Sequence, residues 1–195
     1  MDSFGIPPRN DLPSLDHLDL AMPLLLMNFA WGTRGPEDLK LRRLAALFVS
    51  SADLALKSYR RASHELDLTI CTPGPVGVEI TEQFEICLIY ARRALSTLQT
   101  LGAKGRLSSL DSRARRDLLS MSKGAIALRD SLTHMDERIV DGESRDGTPV
   151  LAMLTLDCKQ LVAGAFSIDI EGLADLLTRL NVVARTLASL GPEQE

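Results

Sequence analysis

With 195 residues, 25% of them charged and 45% hydrophobic, the chain has ordinary globular composition and the length to bury one core. Its net charge of −4 excludes broad, sequence-blind coating of nucleic acid, which needs many Lys and Arg on phosphates, but leaves room for a small local site. Aromatic residues at 4%, against abundant Leu and Ala, favour packed helices over a β-sandwich.

Residues 1–35 mix Pro7, Pro8, Pro13, Pro23, Gly32 and Gly35 with scattered apolar side chains, which predicts an N-terminal arm. It is expected to dock through Leu24 to Trp31 as a strap across the body. Asp2, Asp11, Asp16 and Asp19 stand where a leader would be basic, and Pro23 interrupts the short run AMPLLLMNFAW. Neither a signal peptide nor a membrane span is expected, so no membrane partner is, and a cytoplasmic location follows.

Pro36, with Glu37 and Asp38 behind it, opens a first helix whose Leu44, Leu47, Phe48, Ser51, Leu54 and Ala55 recur at helical spacing. The pattern predicts helix to about His64, then a loop through Pro73, Gly74, Pro75 and Gly77. A second helix starts near Thr81 as cap, buries Phe84, Leu88, Ala91, Leu95 and Leu98, and stops at Gly102. The third is read as one long helix from Ser112 to Asp141, because Leu118, Met121, Ala125, Leu128, Leu132, Met135 and Ile139 alternate steps of three and four.

Beyond Gly147 the period changes. Two apolar runs flank the polar stretch Asp157 to Gln160, which predicts a β-hairpin at about 149–170. A last helix follows from Glu171, with Leu173, Leu176, Leu180, Val183, Leu187 and Leu190 on one stripe and Gly191-Pro192 as its stop. The predicted fold class is mainly α: an antiparallel helical bundle over 36–195, with a small β-hairpin before the last helix.

Most chemistries find no foothold. Cys71, Cys87 and Cys158 lack a CxxC spacing and read as buried thiols in a reducing compartment. His17, His64 and His134 lie far apart without an HExxH pair, TPGPVGVEI lacks the lysine of a phosphate loop, and there is no GxSxG elbow. No metal and no cofactor is expected.

The third helix is different. Asp130 and His134 are four residues apart and lie about 40° from each other around a helix, close enough for the carboxylate to fix the imidazole tautomer. Arg129 and His134 are five apart, about 140° around an ideal helix, so a distorted helix end near Gly142 or a second copy of the helix must bring them together. An imidazole can move a proton from a ribose 2′-hydroxyl while a guanidinium clamps the phosphate and stabilises its added charge. No other pair in this sequence offers that combination for phosphodiester cleavage.

The stretch RDSLTH, Arg129 to His134, matches the R-x4–6-H motif of the HEPN superfamily, where the residue after the arginine is usually Asn, Asp or His. The continuation HMDERI resembles a group of bacterial HEPN-like proteins with a His-aromatic-Asp-Glu-Arg run, Met135 standing where the aromatic would be. The resemblance covers about residues 37–141. It implies a helical bundle with the motif on a late long helix, and a metal-independent endoribonuclease acting on RNA as a homodimer, its paired motifs forming one cleft. His134 would then be the general acid/base, Arg129 the phosphate clamp and Asp130 the group that orients them. A toxin–antitoxin or defence setting would add a cognate antitoxin or another protein partner. Arg113, Arg115 and Arg116, with Arg92 and Arg93, are the candidates to supplement the cleft.

A second expectation comes from a different class. The acidic charge and the lack of a legible basic groove fit a non-catalytic helical module, one that dimerises or binds a protein through salt bridges of the same cluster.

Overall fold

The computed structural model describes residues 12–30, 39–69, 77–103, 112–134, 137, 140, 152–155 and 158–189. These form helices α1 (Met22–Ala30), α2 (Leu39–Thr69), α3 (Gly77–Ala103), α4 (Ser112–Met121) and α5 (Lys123–Thr133). Strands β1 (Met153–Leu154), β2 (Gln160–Ala163) and β3 (Phe166–Asp169) follow, then helix α6 (Ile170–Ser189). The fold is mainly helical, with a small antiparallel sheet before the last helix.

Helix α2 is the axis of the bundle. It runs five residues past the expected stop at His64, and its middle third is buried on almost every face: Phe48, Val49, Ser51, Ala52, Asp53, Ala55, Leu56, Ser58 and Tyr59. A helix surrounded in this way needs neighbours on all sides, and α1, α3 and α6 supply them. The most extensive pairing is with α3, whose Phe84, Cys87, Leu88, Ala91, Ala94, Leu95 and Leu98 are buried. Tyr59 and Phe84 meet edge to face, ring centroids 5.9 Å apart at 78°, the arrangement that ring quadrupoles favour. Helix α3 begins at Gly77, a turn before the expected cap Thr81, and continues through Gly102 to Ala103. The Arg115 side chain of α4 lies over Gly102, where a Cβ would be.

The N-terminal strap is tied down by side chains of the helices beneath it. Asp53, only 3% exposed, accepts hydrogen bonds from the Ala21 and Met22 amides at 3.0 and 2.7 Å, so α2 caps the start of α1 in place of a local cap. Arg60 donates to the Leu15 and Leu18 carbonyls, Tyr59 Oη to the Pro13 carbonyl at 3.0 Å, and Asn181 Nδ2 to the Asp19 carbonyl at 2.9 Å. Asn28 of α1 in turn donates to the Ala188 carbonyl, one of the last carbonyls of α6, which have no partner within their own helix. Leu15, Ala21 and Leu25 thereby join the core. Of the predicted docking run, Leu25 is buried and Leu24 packs against it, whereas Leu26 and Met27 face out; Trp31 lies outside the described residues.

The expected single helix from Ser112 to Asp141 is instead two helices meeting at Ser122. The backbone ladder breaks at the junction: the bond from the Ser122 amide to the Leu118 carbonyl at 3.1 Å is the last of α4, and that from the Ile126 amide to the Ser122 carbonyl at 2.9 Å is the first of α5. Ser122 itself has ψ −7°, and its hydroxyl donates to the Leu119 carbonyl at 2.8 Å, a competition that bends helices. The break has a packing consequence. It leaves α4 against α6 and leans α5 on β2, β3 and α3. Helix α5 ends at Thr133, with His134 as its C-cap at φ −108°, ψ 23°. Glu137 and Val140 are again helical; Met135, Ile139 and the expected end at Asp141 lie outside the described residues.

The expected hairpin is a three-stranded meander in the order β1-β2-β3. The turn read around 157–160 separates β1 from β2, which pair Met153 with Val162 and Leu154 with Leu161. Cys158 sits in it at φ 57°. A second, tighter turn at Gly164-Ala165 joins β2 to β3, with Ala163 opposite Phe166. Gly164 at φ 60° supplies the positive φ that a two-residue hairpin turn demands at its first central position. Leu161, Ala163 and Ile168 put the buried face of this sheet towards the helices.

Candidate functional site at the end of α5

Helix α5 projects Arg129 and Asp130 from its last turn and leaves His134 at its cap, beyond the apolar face of Ala125 and Leu128 that holds it to the core. The Arg129 Nη1 donates to Asp130 Oδ1 at 3.1 Å. From α3, Arg92 Nε approaches the same oxygen at 4.0 Å. Two guanidinium groups from two helices therefore share one carboxylate oxygen. All three side chains sit at the edge of the packed interior, with exposures of 31% for Arg129, 32% for Arg92 and 42% for Asp130. The Nε of Arg129 is buried and has no hydrogen-bond partner among the described residues.

His134 belongs to a separate pair. Its side chain is 54% exposed, and Nδ1 lies 3.0 Å from Glu137 Oε2. Glu137, three residues on, thus holds the ring, where Asp130 had been expected to do so. The reason is local: the helix closes at Thr133, and the His134 amide, 3.2 Å from the Asp130 carbonyl, ends its hydrogen-bond ladder. With Asp130 drawn towards the arginines, the carboxylate at spacing i+3 takes the imidazole. A proton on Nδ1 would be donated to Glu137, which leaves Nε2 as the nitrogen for a ligand.

The sequence-predicted trio is thus divided. Arg129 and Asp130 form one cluster, and His134 pairs with a different carboxylate. Of the two arginines on α3, Arg92 joins the cluster and Arg93 is exposed. The importance of Glu137 could have been found from its three-residue spacing to His134. No local signal could have paired Arg92 with Asp130, because the contact spans α3 and α5. Of the α4 arginines, Arg115 lies over Gly102.

Elsewhere, a cavity of about 510 Å³ lies between the strap and α2, walled by Ser14, Asp16, Arg60, Arg61, His64 and Asp67. It shares no residue with the α5 cluster. Among the described residues no group of three or more His, Cys, Asp and Glu side chains is placed to hold a metal ion, and no helix is long and apolar enough to cross a membrane.

Comparison with family models, with curated proteins and with solved structures finds no match to this chain.

Proposed function

We propose that the protein is a metal-independent endoribonuclease of HEPN type, with His134 as general acid/base and Arg129 as phosphate clamp. The observation that carries this reading is the end of α5: an exposed imidazole is held through Nδ1 by Glu137, and five residues before it a partly exposed arginine spends one donor on Asp130. In the reaction, His134 Nε2 takes the proton of a ribose 2′-hydroxyl. The 2′-oxygen bonds to phosphorus, and the bond from phosphorus to the 5′-oxygen breaks. That oxygen leaves as a hydroxyl after protonation by an imidazolium, and the phosphate remains as a 2′,3′-cyclic diester. Arg129 neutralises the charge that builds on the non-bridging oxygens.

Within one chain, Arg129 and His134 serve different carboxylates, so the reading includes a homodimer in which the motif of a second copy completes the cleft. The test is RNA cleavage in EDTA by wild type, Arg129→Ala and His134→Ala. Loss of at least about a hundredfold in rate for either variant is expected. Cleavage that both substitutions leave untouched overturns the assignment, as does wild-type protein that cleaves no RNA tested and is not toxic to cells.

A second reading rests on the way the cluster is already paired: Asp130 takes up Arg129 and approaches Arg92, and Glu137 takes up His134, in a chain of net charge −4. On that reading the module dimerises or binds a protein, and a toxin–antitoxin or defence role would bring a cognate antitoxin. A complex weakened by Arg92→Ala or Asp130→Ala, in a protein without nuclease activity, would decide for it.

A further inference from the structure

The pairing of two arginines with one carboxylate oxygen leaves most of their hydrogen-bonding capacity unused. A guanidinium carries five N–H donors. Arg129 spends one on Asp130, and Arg92, at 4.0 Å, is beyond hydrogen-bond range of the same oxygen and donates to no other group among the described residues. The Arg129 Nε is buried without an acceptor among the described residues, so the donors an anion can reach are those on the partly exposed remainder of the guanidinium. The local charge of the three groups is +1, and both arginines are about two-thirds covered, so water screens an incoming anion less than it would on an open surface.

We propose that Arg92 and Arg129 together form a binding site for the phosphate of a phosphodiester, and that Asp130 is the place-holder that keeps the two guanidinium groups side by side while the site is empty. This deepens the nuclease reading and rests on it for the identity of the natural ligand, RNA. Arg92 becomes a substrate-binding residue, one non-bridging oxygen going to each guanidinium. A diester bears a single negative charge, which matches the local +1, and its two non-bridging oxygens suit two forks better than a planar carboxylate does. Asp130 then competes with the substrate for the same donors, and so its role differs from orienting His134.

The probe is inorganic phosphate, titrated at constant ionic strength against the full-length protein, with the arginine Nε–H resonances as readout. Relative to wild type, Arg92→Gln and Arg129→Gln are each expected to weaken binding by about tenfold. Arg93→Gln removes the same charge one residue away from an exposed position and should change it by less than about twofold. Asp130→Asn should tighten phosphate about threefold to tenfold, because the competing charge is gone and the shape is kept. Phosphate binding unaffected by Arg92→Gln overturns the site. So does an equal loss in Arg93→Gln, which would make the effect general electrostatics, and so does weaker binding in Asp130→Asn. Should Arg92→Gln not fold, Arg92→Lys keeps the charge and loses the fork, and wild-type affinity in that variant counts against the site.

The same proteins assayed for RNA cleavage separate the two ideas. Phosphate bound as expected by a protein that cleaves no RNA removes the nuclease reading and leaves the anion site standing. Cleavage that needs His134 and Arg129 but ignores Arg92, with phosphate binding equally indifferent, removes the site and leaves the nuclease.

Discussion

Asp53 is a charged residue in the most buried stretch of the chain, and its two carboxylate oxygens account for it by receiving the Ala21 and Met22 amides. Helix starts are normally capped by a residue one to three positions away; here the cap comes from 31 and 32 residues along. Asp53→Ala would leave two amides without acceptors near the core, at a cost of about 1–3 kcal/mol. The expected result is a lower urea midpoint with faster amide exchange at Ala21, Met22 and Leu25. Asp53→Asn retains one acceptor and should lose less. If exchange in α1 is unchanged by Asp53→Ala, the cap carries no weight. The run AALFVSSADLALKSY held the clue, a lone acid among small and apolar residues, but not its partner. The same division applies at the site: the Arg129 and His134 spacing is visible in the sequence, while the carboxylate each one finds is decided by where α5 stops and by what α3 brings alongside.

Among the elements, the separate helices α4 and α5 and the meander are where pattern reading came up short. Ser122 fits the helical period, so nothing in the repeat betrays the break; the break goes with the hydroxyl's bond to the Leu119 carbonyl and the packing of α5 on β3. In the sheet, the first turn was legible from its polar residues. The second, Gly164-Ala165, sat inside what reads as one apolar run, VAGAFSIDI, with Gly164 as its signal. Two glycines give opposite expectations. Gly164→Ala forces a side chain into positive φ and should cost about 1–2 kcal/mol. Gly172 lies in the first turn of α6, and a methyl group there would meet only Asp169 Cβ at 4.0 Å, an ordinary contact. Gly172→Ala should therefore stabilise by about 0.5–1 kcal/mol. Urea unfolding of the two variants checks both signs, and a gain in Gly164→Ala would contradict the turn.

At the scale of the whole molecule, a single core joins the strap, the bundle and the sheet, and two of its members tie stability to alkaline pH. Burial raises the Cys87 thiol well above its ordinary 9.0. Burial, and then the neighbouring Cys87, raise the Tyr59 phenol above its ordinary 10.0. In the folded protein both keep their protons where the unfolded chain releases them. Their contribution is thus fully present below pH 9 and is lost as pH rises from there. Urea midpoints should hold from pH 7 to 9 and fall beyond, at up to about 1.4 kcal/mol per pH unit for each group. Cys87→Ala should flatten that fall, and an unchanged alkaline slope would argue that the thiol is not held neutral.

By itself the sequence determined that the chain would be mainly helical, roughly where its helices lie, and that strands would precede the last helix. Those properties follow from near neighbours: a stripe of Leu and Ala at steps of three and four selects a helix whatever it packs against. Tertiary structure alone decided that Asp53 caps a distant helix, that the third helix breaks at Ser122, and that Arg92 of α3 approaches Asp130. Each of these turns on a hydrogen bond or charge whose competing partners are equally available to an isolated segment, and only packing fixes which of them is within reach.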